Sequence, residues 1–109
     1  MSKDEQAFLA RLRATFHAEA DEHVQAISAG LLALERESDP QARARELETI
    51  FRHAHSLKGA ARAVNLAPIE RICQALEHVL AEWKRGKAGF GAEGFDTLHA
   101  AIDLIGALA

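Results

Sequence analysis

The sequence predicts an all-α protein, an antiparallel up-down four-helix bundle, and three observations carry that expectation. Ala, Leu, Glu and Arg are abundant, while there are only two prolines and no tyrosine, a balance that favours helix over strand. Apolar residues recur three or four positions apart through four separate stretches, the spacing of helices with one buried face. Short connections divide the stretches, and such connections bring consecutive helices back side by side. No sheet is expected.

Ser2 and Glu5 have the spacing of a capping box. Behind them Phe8, Leu12, Phe16, Ala20, Ile27, Leu31 and Leu34 form an apolar stripe, which predicts one long helix over 4–36. Ser38-Asp39-Pro40 supplies a break and a restart, with Asp39 as N-cap and Pro40 as first helical residue. The second helix is predicted over 40–64, with Leu47, Ile50, Phe51, Ala54, Leu57, Ala61 and Val64 facing inward. Asn65, which tolerates a left-handed backbone, stops it.

Pro68 opens the third helix, whose inner face reads Ile69, Ile72, Cys73, Leu76, Val79, Leu80 and Trp83. It closes on Lys84-Arg85-Gly86, a basic last turn followed by glycine. Gly86 to Gly94 reads as a loop rich in glycine. Phe95, Leu98, Ile102, Ile105 and Leu108 then make a fourth helix without a stop signal, which suggests a piece of a longer protein.

A chain of 109 residues and 11.9 kDa suffices for one domain over residues 1–109. Its formal charge of −3 lacks the basic excess that neutralises phosphate backbones, so nucleic acid is not an expected partner. No apolar run reaches the ~18 residues of a membrane span. No apolar segment follows a basic start as in a secretory signal, so the expected compartment is the cytoplasm. The lone Cys73 has no partner for a disulfide or a metal pair and reads as a small apolar core residue.

Six histidines raise the question of which has a built environment. At about 100° per residue, His55 lies about 115° to one side of the apolar stripe of its helix. Glu77 lies about 100° from the stripe of the third helix, in the same rotational sense. Same-sense flanks of adjacent antiparallel helices face along one seam, and Leu66, the centre of the turn, lies midway between the two residues. His55 and Glu77 are therefore expected neighbours. The same reflection pairs Lys58 with Gln74 and Arg62 with Glu70.

A carboxylate that holds the proton of one imidazole nitrogen fixes the tautomer and leaves the other nitrogen as a nucleophile. Lys58 shares that helix face and would bring positive charge to an incoming phosphoryl group. Gly59 removes a side chain beside His55, at a helix-interior cost of ~0.5–1 kcal/mol relative to alanine. Close approach of a partner surface is one reason for it. The plainer alternative is that Gly59 only lets helices pack, that Lys58 is solvated, and that His55 and Glu77 form an ordinary surface pair.

The segment Phe51-Arg52-His53-Ala54-His55-Ser56-Leu57-Lys58-Gly59-Ala60-Ala61 resembles the HxxKG signature of histidine-phosphotransfer (HPt) domains. It is most similar to the subtype at the N-terminus of chemotaxis kinases of the CheA type. The likeness continues through Ile69-Glu70-Arg71-Ile72-Cys73-Gln74-Ala75-Leu76-Glu77, where Glu77 stands at the spacing from the histidine seen in that subtype.

The resemblance implies a phosphoacceptor and phosphocarrier in two-component signalling. His55 would take the γ-phosphoryl of ATP from the ATP-binding domain of a histidine kinase and pass it to an aspartate of a CheY-like response-regulator receiver domain. Glu77 would orient His55, Lys58 would be its charge partner, and Gly59, Gln74 and Arg62 would support or dock. Many members of the subtype have a histidine where this chain has Gln74, and often a glycine where it has Asn65. The family's fifth helix is absent from this chain, as expected of a trimmed piece. The domain is expected to be monomeric.

The chain has no glycine-rich nucleotide loop with its lysine and no asparagine-rich ATP lid, so it is not expected to act as an enzyme by itself. Mg-ATP would serve the partner kinase domain, and no cofactor is expected here. A metal centre is not expected either: the Glu-x-x-His spacing of di-iron bundles does not occur, and His78 with Glu82 and His99 with Asp103 are isolated pairs. His53 points about 160° away from His55 and reads as a boundary residue, while His17 and His23 read as ordinary bundle or surface histidines. A dimerisation domain of a histidine kinase typically has Glu beside its histidine and Thr-Pro shortly after, where this chain has Ser56 and Lys58-Gly59. The rival from another class is a non-phosphorylated helical interaction bundle, in which His55 is dispensable. The apolar stripes and Trp83 read as core, with no ligand pocket.

Overall fold

The Ser2 hydroxyl accepts a hydrogen bond from the Glu5 amide at 3.1 Å, satisfying one of the free donors of the first turn. It starts α1, Lys3–Arg36, in a computed structural model that describes residues 1–86 and 91–109. Asp39 caps α2, Pro40–Ala63, by accepting from the Ala42 amide at 2.9 Å, with Pro40 in the first turn. α3 is Ala67–Lys84 and α4 is Ala92–Leu108. Among the described residues there is no strand.

The turn from α2 to α3 is built on one left-handed residue. Asn65 has φ 60°, and around it the Leu66 amide donates to the Ala61 carbonyl at 2.9 Å and the Asn65 amide to the Arg62 carbonyl at 3.2 Å. These two bonds form a Schellman stop. Gly86, with φ 71°, ends α3 in the same left-handed way. Val64 is the C-cap of α2 rather than its last turn.

The helices pack in a ring, α1 on α2, α2 on α3, α3 on α4 and α4 on α1, which is the antiparallel up-down bundle. Ile27, Leu31, Leu34, Ile50, Leu57, Ile69, Leu80, Leu98, Ile102 and Ile105 fill its centre, essentially without exposure. Each such side chain contributes about 1.5–3 kcal/mol of burial free energy. At Gly30 a β-carbon would lie 2.7 Å from Ile50 Cγ1, so α1 and α2 are in close contact there.

Several expectations from periodicity change. Phe8 and Leu108 are about half exposed, and Leu12, Phe51, Val64, Ile72 and Val79 are only partly buried. For Phe8 and Leu12 the reason is unequal length: α1 has 34 residues against 24, 18 and 17 in the others, so its first turns run past the ends of its neighbours, whereas Ile72, Val79 and Leu108 line an open groove between α3 and α4. α4 begins at Ala92, three residues before Phe95, because Gly94 packs its bare backbone on Trp83. Trp83 in turn meets Phe95 edge to face at 5.2 Å. Of the expected loop, residues 87–90 lie outside the described residues.

An open apolar groove of about 520 Å³ runs between α3 and α4, lined by Ile72, Val79, Ala101, Leu104 and Leu108 among others, where the stripes alone suggested no pocket. No described helix is long and apolar enough to cross a membrane.

Candidate functional site

His55 sits midway along α2 on the flank of a stripe made by Ala54, Leu57 and Ala61, which are fully buried. That placement keeps the imidazole on the edge of the core, with 66% of its side chain exposed. Glu77 holds the matching flank of α3 beside buried Leu76, and among the described residues it is the one charged side chain that is buried. A buried carboxylate is costly unless paired and hydrogen-bonded, and Glu77 has a partner for each oxygen. His55 Nδ1 lies 3.3 Å from Oε1, the long end of hydrogen-bond range, and Lys58 Nζ donates to Oε2 at 2.9 Å.

Lys58 stands one turn from His55 and is itself only 15% exposed. Its ammonium also donates to Gln74 Oε1 at 3.0 Å. The result is a chain of contacts, Gln74 to Lys58 to Glu77 to His55, running down one side of the hairpin. Further along the same edge, Arg62 Nε donates to Glu70 Oε2 at 2.8 Å on the surface. Lys84 and Glu48 close the other end of the seam, and Lys84 also lies 5.0 Å over the Phe51 ring. Four of these cross-helix pairs lie symmetrically about Leu66, while Lys58 with Glu77 is offset by one turn. Three were expected from that reflection, and Glu48 with Lys84 obeys the same rule.

An ionised carboxylate can only accept, so Nδ1 of His55 carries the proton and Nε2 keeps its lone pair on the exposed side of the ring. The arrangement can therefore present one nucleophilic nitrogen to a partner while the other is held. The Lys58 ammonium faces the Glu77 carboxylate and Gln74 instead of open solvent, so its charge reaches the imidazole through Glu77. Beneath them, burial pushes the Cys73 thiol up to about 12, with the charge of Glu77 adding to the rise and Lys58 opposing it.

Gly59 has open space where a β-carbon would stand, with no atom within 4 Å. Packing between helices of this chain therefore does not explain it. The glycine leaves the surface flat one turn from His55.

Among the remaining histidines, His23, His53 and His99 have cross-helix partners that were not expected. His23 of α1 and His53 of α2 bring their Nδ1 atoms to 2.9 Å, a pair that reading each residue singly missed. The signal was available: the two lie at equal chain distance from Ser38, at the first turn. His99 Nε2 meets Glu35 Oε1 at 3.0 Å and ties α4 to α1, rather than turning to Asp103. His78 lies exposed, 4.0 Å from Glu82. Among the described residues no three His, Cys, Asp or Glu side chains are grouped to hold a metal ion.

The Hpt domain family matches residues 11–108. Among curated relatives, the chemotaxis protein CheA of Halobacterium salinarum is 34% identical over 88 residues, covering 81% of this chain and 13% of that protein. A gliding motility regulatory protein of Myxococcus xanthus is 34% identical over 84 residues, covering 77% of this chain and 10% of that protein. The chain thus spans a small part of the length of these relatives. In fold it is similar to the CheA phosphotransferase domain from Thermotoga maritima, with a TM-score of 0.82 and 24% identity over 92% of this chain and 91% of that one.

Proposed function

This chain belongs to the Hpt domain family, and from that premise we propose that it is a phosphocarrier with His55 as its phosphoacceptor. The observation that carries the reading is the exposed His55 imidazole, held at Nδ1 by buried Glu77 and open at Nε2. In the forward step the Nε2 lone pair attacks the γ-phosphorus of ATP bound to a histidine-kinase catalytic domain. An N–P bond forms, the bond from phosphorus to the bridging oxygen breaks, and ADP leaves. The ring then carries positive charge, which the Glu77 carboxylate at Nδ1 stabilises.

In the second step an aspartate oxygen of a receiver domain attacks the same phosphorus, the N–P bond breaks, and the ring returns neutral. Lys58 and Gln74 hold Glu77 in place, and the bare backbone at Gly59 admits the partner to His55. Arg62 with Glu70 supports the docking edge. Magnesium and ATP belong to the kinase domain, so the domain is a substrate and carrier and not a catalyst alone. The curated relatives support a CheA-type kinase as its setting, working in the cytoplasm.

The test mixes this chain with the catalytic core of a CheA-type kinase and Mg-ATP and follows intact mass in wild type and His55→Gln. One acid-labile, alkali-stable phosphoryl group in the wild type alone is the expected result. Equal incorporation in both proteins would move the acceptor elsewhere. No incorporation in either, with several kinase cores, would favour a docking bundle in which His55 is dispensable.

A further inference from the structure

On the seam between α1 and α2, away from Glu77, His23 and His53 stand ring to ring. Their Nδ1 atoms are 2.9 Å apart, and the ring centres 5.2 Å apart at a tilt of 59°. The pair opens onto a cleft lined also by Thr49, Arg52 and Ser56. No third His, Cys, Asp or Glu joins it among the described residues, so its chemistry is that of protons rather than of a metal ion.

A hydrogen bond between two imidazole nitrogens needs a hydrogen on one and a lone pair on the other. With both rings neutral, opposite tautomers satisfy this. A first added proton is taken at Nε2 of the donor ring, and the Nδ1–H bond becomes charge-assisted and stronger. A second proton has only the accepting Nδ1 left to occupy. Two N–H groups then face each other with like charges at contact distance, and the bond is lost. We propose that His23 and His53 form an acid-released clasp between α1 and α2, closed while at least one ring is neutral and open once both are charged.

The surroundings set the sign. Burial first, and then repulsion from His53, hold His23 below its ordinary value of 6.5, against the opposing pull of Glu19 and Glu22 on α1. Arg52 adds a further positive group on the α2 side of the cleft, and α3 and α4 contribute no lining residue. A base lowered on folding binds its proton more readily in the unfolded chain. The stabilising contribution is therefore fully present above 6.5 and is lost as pH falls below 6.5 through the folded value. His53 precedes His55 by two residues on α2, so the clasp acts on the helix that carries the exposed imidazole. The inference is independent of phosphoryl transfer.

The experiment is an NMR titration of the imidazole protons in the full chain, with urea unfolding followed between about pH 7.5 and about pH 5, a range that spans histidine titration. In wild type, His23 should titrate below 6.5, and Overhauser contacts between the two rings should be present at the upper pH and vanish at the lower. In His53→Gln, His23 should titrate higher, and the unfolding midpoint should fall less between the two pH values than in wild type. His23→Gln should flatten that fall in the same way, which guards against a variant that folds poorly. Ring contacts that persist with both histidines charged, an unmoved His23 in His53→Gln, or equal falls in all three proteins would overturn the clasp.

Discussion

Glu77 divides its two oxygens between His55 and Lys58, at 3.3 Å and 2.9 Å, while only 10% of its own side chain remains exposed. The carboxylate is thus fixed from both sides and cannot swing to water without leaving the largely buried Lys58 ammonium with only the neutral Gln74 amide as its partner. A group held in this way can set the tautomer of a neighbour that is itself free to meet a partner.

Replacing Glu77 by glutamine keeps the volume and removes the charge. His55 then loses its preference for the Nδ1–H tautomer and the charge that stabilises a phosphorylated ring. The rate of phosphoryl incorporation from a CheA-type kinase core should fall about 10–100-fold, by analogy with the loss of a carboxylate that orients a metal-bound histidine. Helix content by circular dichroism should stay nearly intact. A wild-type rate would discredit the role of Glu77.

Lys58→Ala frees Glu77 Oε2 and the Gln74 amide, but leaves Oε1 beside His55. The loss in phosphorylation rate should therefore be smaller than for Glu77→Gln, less than about 10-fold, because only the bracing of the carboxylate is removed and not the contact itself. The comparison is a kinetic one made on the same kinase preparation. A larger loss than for Glu77→Gln would assign Lys58 a direct part in phosphoryl transfer.

Two glycines should respond in opposite ways. At Gly59 a β-carbon meets nothing, so Gly59→Ala should raise stability by about 0.5–1 kcal/mol in urea unfolding, the helix propensity gained. Gly59→Leu should keep the fold and slow transfer from His55 to a receiver domain. At Gly30 the added carbon meets Ile50 at 2.7 Å, and Gly30→Ala should lower stability by about 1–3 kcal/mol through overpacking.

Cys73 should be silent in the native protein. Its thiol is buried and pushed up to about 12, so at neutral pH almost none is thiolate. Alkylation followed by mass should run at least about 100-fold slower than in concentrated urea, where an ordinary cysteine value returns. Fast labelling without denaturant would show that the α2–α3 seam opens readily.

Much of this was legible in the sequence, for identifiable reasons. Asn65 and Pro68 mark the turn between α2 and α3 so sharply that reflection about Leu66 brings His55 to Glu77, Lys58 to Gln74 and Arg62 to Glu70. The caps at Ser2 and Asp39 placed two helix starts. Periodicity alone does not say how far neighbouring helices overlap or where a groove between them stays open, so Phe8 and Leu108 were read as core and lie half exposed. The start of α4 was hidden because Gly94 reads as loop until Trp83 is seen against it. The pairing of His23 with His53 needed the reflection applied at Ser38 as well, a step that a connection without a left-handed stop does not invite.

The common centre of the four cross-helix pairs makes the number of residues in the α2–α3 turn a quantity the protein must conserve. One residue inserted between Asn65 and Pro68 would carry every rung of α3 about 1.5 Å along and about 100° around its axis. Glu77 would leave His55, Gln74 and Lys58 would part, and the pairs at both ends of the seam would break together. A residue added beyond α3 or before α2 would disturb none of them. Length change at this turn would thus undo the surroundings of His55, although the turn itself touches no partner of His55.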